Sequence, residues 1–316
     1  MNNSDTSQRF LFDTSAIRGQ WSLLETSYQT VLAKHDYPLE VQTLLGEIMA
    51  AAILLAATLK FEGHLTIQAR GNGPVSLLNV ECTHEHQLRA IARWDGDTTG
   101  MDFRALLGNA VLAITITPRQ GERYQGIVPL TGTSVAECLE FYFAQSEQLP
   151  TRFAVTYGRS QQPGAAPHWR AGGVMLQHMP KASPFVANGE GTGEGGLLTH
   201  ADILSGEEGE NWNRANLLLD TVEEMELIGP SVQPTDLLVR LFHEEEPRVF
   251  DAQPVRFGCS CSADKVRNSL SIYSAKDIAY MTTAEGIVTA DCQFCGAHYE
   301  LDPRTVGFEA EKAPDA

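Results

Sequence analysis

From position 41 to 59, apolar residues stand at Val41, Leu44, Leu45, Ile48, Met49, Ala52, Leu55 and Leu59, a helical spacing that predicts a well-buried core helix. Asp36 is placed to cap it, and Pro38 falls in its first turn. Downstream the period shortens towards two. Strands are predicted over 64–70, 75–82, 87–94, 110–117 and 124–130, with Leu65-Thr66-Ile67-Gln68 showing the alternation and Gly71, Gly73, Gly121 and Gly126 marking turns. A second helix is predicted from Ser134 to about Gln148, capped by Thr133 or Ser134 and stopped by Pro150. Further strands follow at 152–157 and 173–179. Sequential antiparallel strands with a few helices packed on them define an α+β fold class, with residues 1–180 as a mixed α/β core domain.

The pattern changes near Pro180. Residues 188–196, rich in glycine, read as a flexible linker, and they lack the Gly-Lys-Ser/Thr ending of a phosphate loop. An amphipathic helix is predicted over 215–228, with Leu217, Leu218, Leu219, Val222, Met225 and Ile228 on one face and Asp220, Glu223, Glu224 and Glu226 on the other. Another begins at Pro234-Thr235-Asp236, runs through Leu237, Leu238, Leu241 and Phe242 into His243-Glu244-Glu245-Glu246, and stops at Pro247. Three glutamates at a helix C-terminus oppose its macrodipole, so this helix depends on tertiary packing. Residues 181–250 are therefore assigned as a helical acidic linker and 251–316 as a small C-terminal domain.

Charge sharpens that division. The chain has 316 residues, 43% hydrophobic, and a net charge of −17; residues 181–250 carry 4 basic and 14 acidic groups, so −10 of it lies there. Such a field repels nucleic acid, which requires a basic face. The start, Met1-Asn2-Asn3-Ser4-Asp5, lacks a basic stretch followed by an apolar one, and the apolar run 49–59 is too short to span a bilayer. A cytoplasmic protein without membrane association is expected, and in that compartment paired cysteines read as metal ligands or redox sensors.

Four of the six cysteines form two tight pairs near the end of the chain, Cys259-Ser260-Cys261 and Cys292-Gln293-Phe294-Cys295. Four thiolates brought to one point make a closed tetrahedral zinc site, so one zinc ion bound by Cys259, Cys261, Cys292 and Cys295 is expected. The same pairs can close as disulfides, and a Cys-x-Cys ring is small and strained. Arg256 and His298 flank the pairs in sequence. Residues 251–316 hold few large apolar groups, among them Phe257, Ile272, Tyr280 and Phe308, so a module of this size needs its metal to fold. Spacing alone leaves a redox switch and a permanent structural ribbon both open. Other candidates are weaker. Cys82-Thr83-His84-Glu85-His86 reads as a polar turn, Cys138 as a buried core thiol, and Ser160 and Ser183 have no base at a usable spacing. A site of four cysteines leaves no open position for hydrolytic chemistry.

Several segments together carry a resemblance: Tyr37-Pro38, Ala56-Ala57-Thr58-Leu59-Lys60-Phe61, Ile114-Thr115-Ile116-Thr117-Pro118, Gly121-Glu122-Arg123-Tyr124-Gln125-Gly126, Ser146-Glu147-Gln148-Leu149-Pro150-Thr151-Arg152, Phe242-His243-Glu244-Glu245-Glu246 and both cysteine motifs. Over nearly its whole length the chain resembles the redox-regulated holdase chaperones of the bacterial thirty-three-kilodalton heat-shock family. The resemblance implies a non-enzymatic chaperone that is inactive while reduced and zinc-bound. It implies oxidation to Cys259–Cys261 and Cys292–Cys295 disulfides, zinc release, unfolding of the zinc domain and then the linker, and ATP-independent capture of unfolding client proteins by a homodimer. Two other readings remain. One is a thiol-disulfide oxidoreductase using Cys292 and Cys295, for which the thioredoxin-like βαβ context is missing; the other is an interaction module with a static zinc ribbon.

Overall fold

The computed structural model describes residues 5–58, 62–147, 149–160, 168–179, 206–229 and 232–310. The chain divides into two compact units, Met1–Phe257 and Gly258–Ala316. In chain order the first contains β1 (Thr6–Phe12), β2 (Ile17–Leu24), α1 (Thr26–Leu32), α2 (Leu39–Ala56), β3 (Gly63–Arg70), β4 (Val75–Thr83), β5 (Gln87–Trp94) and α3 (Phe103–Leu107). It continues with β6 (Val111–Pro118), β7 (Tyr124–Pro129), α4 (Val135–Tyr142), β8 (Thr151–Ser160), β9 (His168–His178), α5 (Gly206–Leu219), α6 (Glu224–Ile228) and α7 (Pro234–Phe242). The short strands β10 (Pro247–Val249), β11 (Gln253–Pro254) and β12 (Arg256–Phe257) close it.

Two sheets organise this unit. One has the order β10-β1-β2-β9-β8, with β11 also on β1; the other runs β12-β5-β4-β3-β6-β7. All pairings are antiparallel except β12 on β5. Helix α2 touches both sheets, and from Ile48 to Ala56 every residue is buried. That explains its composition: a helix packed on all sides is apolar on all sides. By length and hydropathy it could cross a membrane, yet 72% of it is buried inside the protein.

The core helix and the strands lie where the periodicity puts them, with local differences. Asp36 does not cap α2. Pro38 is the N-cap, with ψ of 157°, and the helix starts at Leu39, which leaves Asp36 too far upstream to reach its free N–H groups. Leu59 lies outside the described residues. Helix α4 is capped by Ser134, whose Oγ accepts from Glu137 N at 3.2 Å, but it ends at Tyr142 and continues as a π-helical turn over Phe143–Glu147. The hairpin β1–β2 and helices α1 and α3 are additional to the elements read from the sequence.

The described part of the acidic segment, from Gly206 onward, is largely helical and packs within the first unit. The single helix expected over 215–228 is two, and α5 begins earlier, at Gly206. The break has local causes: Thr221 Oγ1 donates to Leu218 O, and Glu223 starts α6 with a capping box completed by Glu226. Trp212, Leu219, Leu227, Ile228, Leu237, Leu238 and Phe242 form a cluster with Phe10, Trp21, Leu23, Val174 and Leu176 of the first sheet. Leu217 and Met225 do not join it; they are 68% and 54% exposed. Ile228 sits where Gly158 and Gly172 leave room, since a Cβ on Gly158 would lie 2.7 Å from Ile228 Cδ1. Arg170 donates to Ile228 O at 3.2 Å and to Glu25 at 2.6 Å, and Arg152 bridges Glu140 and Asp220. The glycine-rich tract 188–196 and Ser183 lie outside the described residues.

The second unit contains α8 (Ala263–Leu270), α9 (Ala275–Met281) and a hairpin of β13 (Val288–Asp291) and β14 (His298–Leu301). Its buried core is Ile278, Val288, Leu301 and Val306, with Ala263, Val266 and Leu270 partly buried against them. Ile272, Tyr280 and Phe308, counted above among the module's large apolar groups, are 76%, 87% and 63% exposed and contribute nothing to it.

Candidate metal centre

The β13–β14 hairpin places one cysteine pair. Its strands register Asp291 against His298, and the chain between them folds tightly: Cys292 N donates to Ala297 O at 2.9 Å and Gly296 N to Cys292 O at 2.7 Å. Gly296 has φ of 73°, a left-handed conformation that glycine enters without strain. This turn presents Cys292 and Cys295 on one side. The other pair precedes α8, whose N-cap Ser262 accepts from Lys265 N at 3.2 Å. Lys265 then reaches back, donating from Nζ to Ser260 O at 2.5 Å and to Ser260 Oγ at 2.9 Å, and so fixes the Cys259-Ser260-Cys261 segment.

The four sulfurs lie within 4.8 Å of one another, and all four residues are half-buried. Cys259 and Cys292 approach to 3.7 Å, and Cys261 and Cys295 to 3.4 Å. A tetrahedron with bonds of about 2.3 Å from metal to sulfur has edges of about 3.8 Å, so the donor set fits a single ion of that preference. All six cysteines are free thiols in this structure. Burial pushes the Cys292 thiol up. Burial also pushes Cys295 up to about 12, with the sulfurs of Cys261, Cys292 and Cys259 acting in the same direction and the Ala297 N–H opposing them. Such sulfurs ionise together only around a cation, so metal uptake must release protons.

Tyr299, absent from the sequence reading as a site residue, donates from its hydroxyl to Cys261 Sγ at 3.0 Å. The only hint in the sequence is its position four residues after Cys295. His298 turns elsewhere: its Nδ1 lies 2.7 Å from Asp291 and its Nε2 3.8 Å from Glu300. The Asp291 hydrogen bond is the main cause of its raised pKa. Arg256 belongs to β12 of the first unit.

The weaker candidates stay apart. Cys82 is buried in β4, and burial holds its thiol up at about 12; His84 Nδ1 accepts from Gly63 N at 3.3 Å. Cys138 is buried in α4. Among the described residues, the four C-terminal cysteines are the one group that could share an ion.

The family model described as Hsp33 protein matches residues 5–302, a span that includes all four cysteines. This chain belongs to the Hsp33 family. A "33 kDa chaperonin" of Ectopseudomonas mendocina is 45% identical to it over 302 residues, covering 95% of this chain and 92% of that protein. One of Proteus mirabilis is 36% identical over 300 residues, covering 95% and 94%. In fold, the crystal structure of the 33 kDa chaperonin (heat shock protein 33 homolog) of Thermotoga maritima superposes with a TM-score of 0.72 at 20% identity, covering 95% of each chain. The Hsp33 match thus runs through both compact units.

Proposed function

We propose that this Hsp33-family protein is an ATP-independent holdase, held off by a zinc-bound C-terminal module and switched on by oxidation. The observation that carries the reading is the gathering of four thiols, in two sequence pairs, on a module with a core of four buried side chains. Zinc bound by Cys259, Cys261, Cys292 and Cys295 would supply a closed tetrahedral anchor that keeps the four sulfurs ionised and the module folded. The residues do the rest. Peroxide oxidises two thiols to a disulfide and is itself reduced to two waters; a disulfide sulfur is no longer a thiolate ligand. Pairing within each motif, Cys259 with Cys261 and Cys292 with Cys295, follows the family resemblance.

Without its anchor, a core of Ile278, Val288, Leu301 and Val306 is too small to hold the module together. The chain from 247 to 257 attaches to β1 and β5 through the short strands β10, β11 and β12, each of two or three residues, and through Phe250 N donating to Arg9 O, Val255 N donating to Asp5 O and the buried Val255 side chain. We propose that its loosening frees α5, α6 and α7. Their release would expose Trp212, Leu237 and Phe242 together with Phe10, Trp21 and Leu176 beneath them, an apolar surface for unfolding clients. The acidic residues of 206–246 would keep that form soluble. A cytoplasmic setting and a homodimer in the oxidised state complete the proposal.

The test is aggregation of a heat-unfolded client in the presence of reduced, zinc-loaded protein or of peroxide-treated protein. Protection only after oxidation, lost in the Cys292→Ser/Cys295→Ser double variant, is expected. Equal protection in both forms would mean constitutive binding and a purely structural metal. Turnover of insulin disulfides without client protection would turn the reading to disulfide exchange.

A further inference from the structure

The four sulfurs do not have equivalent surroundings. Cys292 and Cys295 meet backbone N–H groups and other sulfurs, whereas Cys261 also accepts a hydrogen bond from the Tyr299 hydroxyl at 3.0 Å. Tyr299 is held by its strand: it stands on β14 opposite Ala290 of β13, next to the pair Asp291 and His298. We infer that Tyr299 guards Cys261, its hydroxyl slowing the attack of that sulfur on peroxide while the four cysteines are held as thiolates. The inference rests on the metal-anchored switch proposed above and names a residue that sets its threshold.

The physical reason is a separation of two effects that ordinarily oppose each other. A hydrogen-bond donor on a free cysteine increases the share present as thiolate but makes each thiolate a weaker nucleophile. Where metal binding has already taken the protons off, the first effect has nothing left to act on. Only the loss of nucleophilicity remains. The step it slows is defined: a sulfur lone pair attacks one peroxide oxygen, the O–O bond breaks, a sulfenic acid forms and the departing hydroxide takes up a proton to become water. A second thiolate then attacks the sulfenic sulfur, the S–S bond forms and the second oxygen leaves as water, so two electrons pass from the sulfurs to the peroxide. A lone pair shared with a phenol O–H is less available for the first of these attacks. With a Brønsted slope of about 0.4–0.5, each tenfold fall in thiolate basicity slows attack about threefold.

Tyr299→Phe keeps the ring and removes only the donor. The experiment uses the full-length, zinc-loaded protein, hydrogen peroxide below stoichiometric amounts, and quenching by isotope-coded alkylation with mass-spectrometric readout of each cysteine. Cys261 is expected to oxidise about threefold faster in Tyr299→Phe, with the initial rates at Cys292 and Cys295 and the zinc affinity unchanged. In chelator and urea, where the contact is gone, the two proteins should react alike. An unchanged Cys261 rate overturns the inference, as does acceleration of all four cysteines together with weaker zinc binding, which is the mark of a merely structural role. Acceleration that persists in urea overturns it too, since it would not arise from the folded contact. If Cys261 accelerates as expected but oxidised protein never protects a client, the guard stands and the chaperone reading fails.

Discussion

Replacing Phe242 by alanine removes a fully buried ring from the contact between α7 and β1. Phe242 is 0% exposed, and its ring centroid lies 4.9 Å from that of Phe12 and 6.1 Å from that of Phe10. Truncating a buried phenylalanine costs about 3–5 kcal/mol, from lost transfer free energy, an unfilled cavity and lost aromatic contacts. Phe10 and Phe12 belong to the sheet and Phe242 to the helix it holds, so the cost falls on docking of the acidic helices. At about 1.4 kcal/mol per factor of ten, the released population should rise by roughly two to three and a half orders of magnitude. A fully reduced, metal-loaded Phe242→Ala protein should therefore show faster amide exchange across α5–α7 than the wild type. It should also show partial client protection without oxidant. The β13–β14 amides should keep their protection, because the metal module is untouched. Ile127→Ala, at a position 59% exposed, is the control and should change neither readout. The reasoning fails if exchange in α5–α7 is unchanged. It fails equally if exchange rises in α2 to the same extent, since unit-wide destabilisation would then replace helix release.

Four further outcomes can be checked. Burial, and secondarily the charge of Glu224, raises Glu47 from its ordinary 4.5 to about 7. Its contribution is therefore fully present below the unfolded value and lost as pH rises through about 7. Glu47→Gln should flatten that dependence and stabilise the first unit at pH 8 by about 2–3 kcal/mol in urea titrations. Chelation of the metal should abolish the amide protection of residues 258–310 and lower that of α5–α7, while the strands of the first unit's two sheets and α2 keep theirs, read by exchange mass spectrometry. Gly296→Ala forces an alanine to φ of 73°, a cost of about 1–2 kcal/mol, and should weaken metal binding roughly tenfold in chelator competition. Glu245, 0% exposed, accepts from Arg214 Nε at 2.5 Å and from Thr14 Oγ1 at 3.0 Å; Glu245→Ala should lower the stability of the first unit by about 1–3 kcal/mol.

Much of this was legible along the chain because it depends on short-range patterns. Helix α2 announces itself through apolar spacing, β3 through alternation that the burial of Leu65, Ile67 and Ala69 reproduces, and the candidate metal centre through two cysteine pairs that each act locally. The hairpin β1–β2 escaped the same reading because its hidden faces are partly polar: Gln20 Nε2 donates to buried Ser7 Oγ at 2.6 Å, and Ser22 Oγ to Ala50 O at 3.4 Å. Polar residues satisfied in pairs interrupt the pattern that marks a strand. Glu245 is a similar case, one of three consecutive glutamates and the only one buried, chosen by Thr14 and Arg214 far away in sequence.

The sequence by itself determined the core helix, most of the strands, the acidic helical segment and which four cysteines form the candidate metal site. Each rests on residues within a few turns or strand lengths of one another, where backbone geometry alone sets which side chains share a face. Only the tertiary structure decided that the acidic helices cover Phe10 and Trp21, that Leu217 faces solvent while Leu219 does not, and that Tyr299 reaches Cys261. Those outcomes depend on which distant surfaces meet, and periodicity within one segment carries no information about its partner.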